Sequence, residues 1–460
     1  MRPVLLGMAL VGLAACGGGA EEAPASEPLH STTVTPFPST YQPMPSEPTL
    51  IRNATLLIGN GERLDGGDIL LSDGRIAAVG KNIEAPAGAV IMDADGAFVT
   101  PGIIDVHSHL GDYASPGVDA HSDGNEMTSP NTAEVWAEHS VWPQDPGFNT
   151  ALAGGVTSLQ VLPGSANLFG GRGVTLKNVR GRSVMDMKFP GAPHGLKMAC
   201  GENPKRVYGG KGTAPSTRMG NVAGYRAAWI EAEQYLAEIE AAERGEGDMP
   251  DRDLKLETLA GVLKGEIIIH NHCYRADEML VMLDIAREFG YQVGTFHHAV
   301  EAYKIGDKLA EAGTCAAMWA DWWGFKMEAF DGVRENLPLV DAAGACAIVH
   351  SDSAIGIQRL NQEAAKAMAA ANKAGMSVTP EQAMRWLTLN PAKSLGVAEQ
   401  TGSLEAGKMA DVVIWQGNPF SVYAKAEKVY IDGALAWDLD DPAHQPVSDF
   451  KLGADAGGAK

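Results

Sequence analysis

Phe98-Val-Thr-Pro-Gly-Ile-Ile-Asp-Val-His-Ser-His-Leu-Gly111 is the stretch on which the reading of this chain turns. An apolar run breaks at Pro101-Gly102, resumes through Ile103, Ile104 and Val106, and then delivers His107 and His109. Side chains two residues apart on a strand share a face, so both imidazoles project to one side. Two nitrogen donors at the end of a buried strand suit a borderline divalent metal such as zinc. Alone, the pair is as readily two loop histidines, so the weight lies with the other strand ends. Glu266-Ile-Ile-Ile-His-Asn-His272 repeats the design, Gln292-Val-Gly-Thr-Phe-His-His298 ends a third apolar run, and Ala347-Ile-Val-His-Ser-Asp352 a fourth. His272, nearest its strand end, is the better ligand of its pair, with His270 deeper or acting behind it. Four polar termini on four apolar strands argue against coincidence.

Around these ends, apolar strand-like runs alternate with amphipathic helices, the pattern of βα units on a parallel sheet. The runs end at His109, near Leu162, near Leu176, near Ala199, at His272, at His298, near Trp319 and at Asp352. That number fits a (β/α)8 TIM-like barrel over residues 99–399, whose catalytic groups gather at the C-terminal strand ends. A helix is expected over Tyr225 to Glu243, a second helical piece to Leu263, and a late helix over Glu381 to Leu389 before Pro391. Residues 49–98 and 400–440 carry short strands and the hairpin turn Ser72-Asp73-Gly74-Arg75. The two flanks read as one small antiparallel β-sandwich built from both chain ends, followed by a tail over 441–460.

Residues 1–15 read as a processing signal: Arg2 is a short basic region, and Val4 to Ala15 is apolar but too short to span a membrane. Leu13-Ala14-Ala15-Cys16 resembles the lipobox of bacterial lipoproteins, which implies a lipid anchor on Cys16; the alternative is an ordinary secretory peptide with a chance cysteine. A periplasm-facing location in the cell envelope follows, and Gly17 rather than aspartate after the cysteine points to the outer membrane. Residues 16–48, rich in Gly, Ala, Glu, Pro, Ser and Thr, read as a disordered tether. The formal net charge of -21 argues against nucleic acid and against docking on anionic lipid. Cys200, Cys273, Cys315 and Cys346 lack metal-ligand spacing and sit in apolar contexts, so buried free thiols are expected, although the compartment permits disulfides.

The chain resembles the amidohydrolase superfamily, in its imidazolonepropionase-like branch, over about Ile51 to Gly433. The motifs are TPGIIDVHSHLG at 100–111, GGVTSLQVLPGS at 154–165, HNHCYRADEML at 270–280, HHAVEAYKI at 297–305, IVHSDS at 348–353 and GSLEAGKMADVVIWQGNP at 402–419. The resemblance implies a divalent metal site, zinc by its chemistry, holding one or two ions. His107, His109, His272, His298 and Asp352 would be its ligands. His298 is preferred to His297 because it stands three residues before Glu301-Ala-Tyr-Lys304. Asp352 would also take a proton from the attacking water and hand it to the departing amine. On the fourth strand, relatives with two metals carry a bridging ligand, a carboxylated lysine or a glutamate. Glu202, already anionic and at the end of the run, is favoured there over Lys197 just inside it; with neither, the site would be mononuclear.

Lys205, Arg206, Lys211, Arg218 and Arg226 form a basic cluster, read either as a solvated loop or as a seat for a substrate carboxylate or phosphate. Arg206, Arg218 and Tyr274 are the substrate-contact candidates. Trp319, Trp322, Trp323 and Phe325 wall an apolar pocket or pack a core. The glycines from Gly164 to Gly173 read as a βα loop near the site. The leading expectation is a hydrolase cleaving a C–N bond in a small amide, cyclic amide or dipeptide with a free carboxylate. Its alternatives are a mononuclear deaminase or imidazolone-type ring hydrolase, and a non-catalytic surface binding protein on a hydrolase scaffold. Family habit implies a homo-oligomer.

Overall fold

A computed structural model describes residues 37–445. The signal segment, Cys16, the tether up to residue 36 and the tail beyond 445 lie outside them. Among the described residues no helix is long and apolar enough to cross a membrane.

Both chain ends build one eight-stranded sheet, ordered Ala434–Asp438, Lys425–Ile431, Val412–Gln416, Phe98–Pro101, Thr49–Leu57, Arg63–Ser72, Arg75–Gly80, with Val90–Asp93 also on Thr49–Leu57. Asp73 and Gly74 turn the expected hairpin with φ of 53° and 75°, the doubly left-handed turn that matches strand twist. The sheet is mixed rather than antiparallel. Residues 81–89 carry the chain back alongside Thr49–Leu57, so Val90–Asp93 and then Phe98–Pro101 pair with it in parallel.

The middle of the chain forms a nearly closed eight-stranded barrel: β1 (Ile103–Ser108), β2 (Val156–Val161), β3 (Phe169–Lys177), β4 (Gly195–Ala199), β5 (Ile268–Cys273), β6 (Val293–His298), β7 (Cys315–Met318) and β8 (Cys346–Val349), paired in sequence order. The eight positions match the sequence reading, but one direction does not. β3 runs antiparallel to both neighbours. A parallel return needs a crossover of a dozen or more residues, and residues 162–168 allow only a hairpin. Leu176 therefore lies at the foot of the barrel while Phe169 and Gly170 lie at its mouth. Gly170 to Gly173 belong to this strand and not to a loop.

β1 and β8 exchange no ladder. Trp386 and Leu387 fill the seam, accepting from Val349 N (3.0 Å) and Ile104 N (2.9 Å). That insertion splits the expected late helix into Pro380–Arg385 and Leu389–Ser394. Pro391 is tolerated in the first turn of the second piece, where its missing N–H has no helical partner to lose. The helix expected from Tyr225 starts earlier, as Arg218–Glu243, and Leu254–Leu263 follows it.

The four described cysteines are paired, Cys200 with Cys273 and Cys315 with Cys346. The free-thiol expectation fails because barrel registry, invisible in linear spacing, sets Cys315 opposite Cys346 and carries β4 and β5 side by side into Cys200 and Cys273. Residues 37–48 are also more ordered than a tether. Thr40 N donates to Met185 O (2.9 Å), Ser39 Oγ to Lys188 O (2.6 Å), and the Tyr41 hydroxyl bonds Asp432.

At the foot of the barrel, Lys177 from β3 is fully buried and donates to Asp411 (2.8 and 3.0 Å) and Asp432 (3.1 Å), which come from the sheet formed by the chain ends. Removing the cation leaves two buried carboxylates unpaired, so Lys177→Met is expected to lower the unfolding free energy by about 3–5 kcal/mol in a urea titration. Arg226→Ala, which breaks an exposed pair with Glu288, is expected to leave the midpoint unchanged.

Candidate metal centre

The mouth of the barrel draws together donors from strands far apart in sequence. Asp352 Oδ1 lies 3.2 Å from His109 Nε2 and 3.5 Å from His107 Nε2, and Asp352 Oδ2 lies 4.0 Å from His298 Nε2. His109 is aimed by its other nitrogen, 2.7 Å from Leu162 O. His272 packs edge-on against His298, with ring centroids 4.5 Å apart. Strand alternation alone would send the consecutive His297 and His298 to opposite faces. His298 takes a left-handed φ of 71°, Ala299 one of 33° and Asp352 one of 48°, so the strand ends twist and both histidines reach the centre. Bulky residues seldom adopt that conformation, and its concentration here marks a site held by its surroundings.

The bridging position is where the geometry parts from the sequence preference. Lys197 is buried inside β4, its Nζ 3.3 Å from His107 Nε2 and 3.0 Å from Pro163 O. Glu202 begins the helix Glu202–Gly210, past the strand end, and its carboxylate faces Lys326 at 3.6 Å. The structure thus brings Lys197, not Glu202, to the histidines: a long side chain rooted within the strand reaches the centre, and a shorter one on the departing helix does not.

The basic cluster disperses. Arg218 pairs with Asp277 (2.8 Å) and Arg226 with Glu288 (2.6 Å), both exposed, Arg206 is exposed on its helix, and Lys211 bonds Met127 O. Arg218 spends its guanidinium on that exposed carboxylate, so the expectation of a substrate seat there is not met. Tyr274 does reach the site, stacking on His298 at 5.1 Å beneath the Lys326 ammonium, 3.8 Å from its ring. Trp319 is buried, stacks on His298 (4.5 Å), and carries Trp322 on its other side (5.2 Å). Trp322, His350, Ser353, Ile355 and Arg359 line a cleft of about 250 Å³ beside that stack.

Two histidines were underweighted in the sequence. His350 stands two residues before Asp352, the same alternation that marks the His-x-His pairs, and its Nε2 lies 3.0 Å from His298 Nδ1. His297 was set aside for His298, yet lies 2.9 Å from His107.

Burial dominates the electrostatics. It drives His107, His272, His297 and His298 well below the ordinary histidine range, His270 to about 3, His350 to about 4 and Lys197 to about 8. Burial would raise Asp352, but the hydrogen bond and charge of His109, with His350 and Lys197, hold it below its usual value. Neutral imidazoles beside an ionised carboxylate are the donor set a divalent metal takes. His107, His109 and Asp352 hold one donor atom each within 4.8 Å of one another, as do His107, His298 and His350. The buried His272 Nδ1 and His350 Nδ1 have no hydrogen-bond partner. The residues fit a metal site.

A barrel with this mouth defines a hydrolase of the amidohydrolase type, and the comparisons agree. The amidohydrolase family model matches residues 327–436. An amidohydrolase of Thermotoga maritima is 38% identical, with a TM-score of 0.78 over 85% of this chain and 100% of that one. The amidohydrolase tasK of Hapsidospora irregularis is 33% identical over 437 residues, 86% of this chain; the match spans only 44% of tasK. An imidazolonepropionase of Mesorhizobium japonicum is 25% identical over 80% of this chain and 89% of its own length. The chain belongs to the amidohydrolase family, whose members typically bind divalent metal.

The geometry makes a direct prediction about metal content. Lys197→Met is expected to lower the divalent metal retained per chain after dialysis, read by elemental analysis, and Glu202→Gln to leave it unchanged; the reverse pattern would favour Glu202 as the ligand from this strand.

Proposed function

We propose that this chain hydrolyses a C–N bond in a small amide, cyclic amide or dipeptide at a zinc site held by His107, His109, Lys197, His272, His298 and Asp352. The observation that carries the reading is the convergence of Asp352 on His107, His109 and His298 beside a buried lysine. Divalent zinc supplies a Lewis acid for the scissile carbonyl and lowers the pKa of water to the neutral range. Lys197 would hold the metal from β4 after carboxylation: its neutral amine adds carbon dioxide and gives one proton to solvent, turning a donor into a two-oxygen acceptor. Asp352, ionised and hydrogen-bonded to His109, accepts the proton of the attacking water and returns it to the leaving nitrogen. The stacked Trp319 and Trp322 offer a flat apolar wall to one side of the bond. Arg359, exposed on the cleft rim, offers a guanidinium to a carboxylate there. An N-acyl aromatic amino acid or a dipeptide with an aromatic side chain combines both features.

The reading is tested with a panel of such compounds and their carboxylate-blocked amides, assayed with zinc-loaded protein. Asp352→Asn is expected to lower kcat by about 10³-fold or more with folding intact, as loss of a general base and ligand requires. Arg359→Ala is expected to raise KM about tenfold for free carboxylates only, the size of a lost charge-assisted hydrogen bond. Equal turnover of blocked and free substrates would sink the carboxylate, and no turnover across the panel with one metal per chain would favour ring opening or deamination. In that case Lys197 stays an amine, satisfied by Pro163 O.

Two internal disulfides support a location in an oxidising compartment, in keeping with a lipid anchor on Cys16 facing the periplasm. Cys16→Ser is expected to move the protein from the membrane fraction to the soluble one.

A further inference from the structure

Behind His107 lies a chain of buried side chains that the proposed chemistry does not use. His107 Nδ1 is 2.9 Å from His297 Nδ1, His297 Nε2 is 2.9 Å from His270 Nδ1, and His270 Nε2 is 3.3 Å from Gln160 Nε2. Gly195 makes the last contact possible, since a Cβ there would lie 2.7 Å from both Gln160 Nε2 and His270 Cδ2. Three rings buried side by side stay neutral, so each carries one ring proton, and each ring-to-ring contact needs one donor and one acceptor.

Only two proton orders satisfy the whole chain. In the first, His107 Nδ1–H donates to His297, His297 Nε2–H donates to His270, and His270 Nε2–H requires an acceptor at Gln160. In the second, every proton sits on the opposite nitrogen: the Gln160 amide donates to His270, and His107 ends with its proton on Nε2. The first order leaves His107 Nε2 bare; the second blocks it.

The near end of the chain selects the first, and the far end admits it. In the metal-free protein, where Lys197 is an amine, its donor Nζ lies 3.3 Å from His107 Nε2 and asks for a bare nitrogen. Asp352 Oδ1, which would favour a proton there, is farther, at 3.5 Å, and nearer to His109. At the far end, Gln160 Oε1 is buried with no partner. The oxygen and nitrogen of an amide are nearly interchangeable in shape, so a half-turn of that amide sets an acceptor against His270 Nε2 and leaves the NH2 in the place the oxygen held.

We propose that Gln160 presents its amide oxygen to His270 and, through His270 and His297, fixes the proton of His107 on Nδ1, keeping Nε2 free for the metal. Gln160, His270 and His297 are then positioning residues, a relay of side chains where metal-binding histidines more often use one carboxylate or carbonyl. The inference rests on the reading of His107 as a metal ligand.

Ring-nitrogen NMR of metal-free protein labelled with ¹⁵N-histidine tests it, with rings assigned by their mutual contacts. The expected result is Nδ1–H on His107 and Nε2–H on His270 and His297; a proton on His107 Nε2 overturns the proposal. Gln160→Glu keeps the acceptor and is expected to hold the zinc dissociation constant within about threefold, whereas Gln160→Leu weakens zinc about 10–100-fold and mixes the His107 tautomers. Unchanged tautomers and zinc affinity in folded Gln160→Leu would overturn it too. Should that variant not fold, the wild-type and Gln160→Glu spectra decide. A protein with the expected proton order that binds no zinc would sink the metal reading alone, and zinc bound tightly with the opposite order would sink the relay alone.

Discussion

The first and last strands of the barrel exchange no ladder, and the buried carboxylate of Asp105 joins them instead. It accepts from His107 N (3.1 Å), from Ser351 N (3.1 Å) and from the Ser351 hydroxyl, while Asp352 N donates to His107 O (3.0 Å). The Asp105 carboxylate and the Asp352–His107 backbone bond together set the height of His107 against that of Asp352. Burial lifts its pKa to about 7 even against those bonds, a sign of how dry the seam is. Were the seam to slide, His107 and His109 would lose the carboxylate that converges on them.

The same dryness shapes the rest of the mouth. Histidines that would be partly charged in water are held neutral, and a lysine is pulled toward neutrality, so the centre collects donor atoms without collecting positive charge. Left-handed turns at His298 and Asp352 cost strain that an isolated strand would not accept. Packing from Trp319 over His298 and from Ser351 against Asp105 keeps those conformations in place. At the opposite end, Lys177 with Asp411 and Asp432 is an ionic pin between the barrel and the sheet of the chain ends.

Much of this was legible in the chain. The eight strand ends, His107, His109, His272, His298 and Asp352 stood out because each follows an apolar run, and local pattern is what hydrophobic periodicity reports. Lys197 and Glu202 were distinguishable only as residues inside and beyond a strand, and the preference fell on the wrong side of that boundary for reach into the centre. The direction of β3 was readable from the shortness of residues 162–168, but the glycines from Gly164 to Gly173 matched a βα loop equally well. The cysteine pairs and the dispersal of Arg218 and Arg226 left no local trace, since their partners are set by neighbours in the sheet and on other helices.

By itself the sequence determined which segments become strands, that polar donors cap them, and that the two ends return to a common sheet. Those properties depend on the alternation and composition of a few adjacent residues. Only the tertiary structure decided which donors meet, that Lys197 rather than Glu202 reaches the histidines, that His297 and His270 stand behind His107, and that the cysteines pair. These outcomes depend on barrel register and on side-chain reach between strand ends up to 246 residues apart in the chain, and distance in sequence carries no information about either.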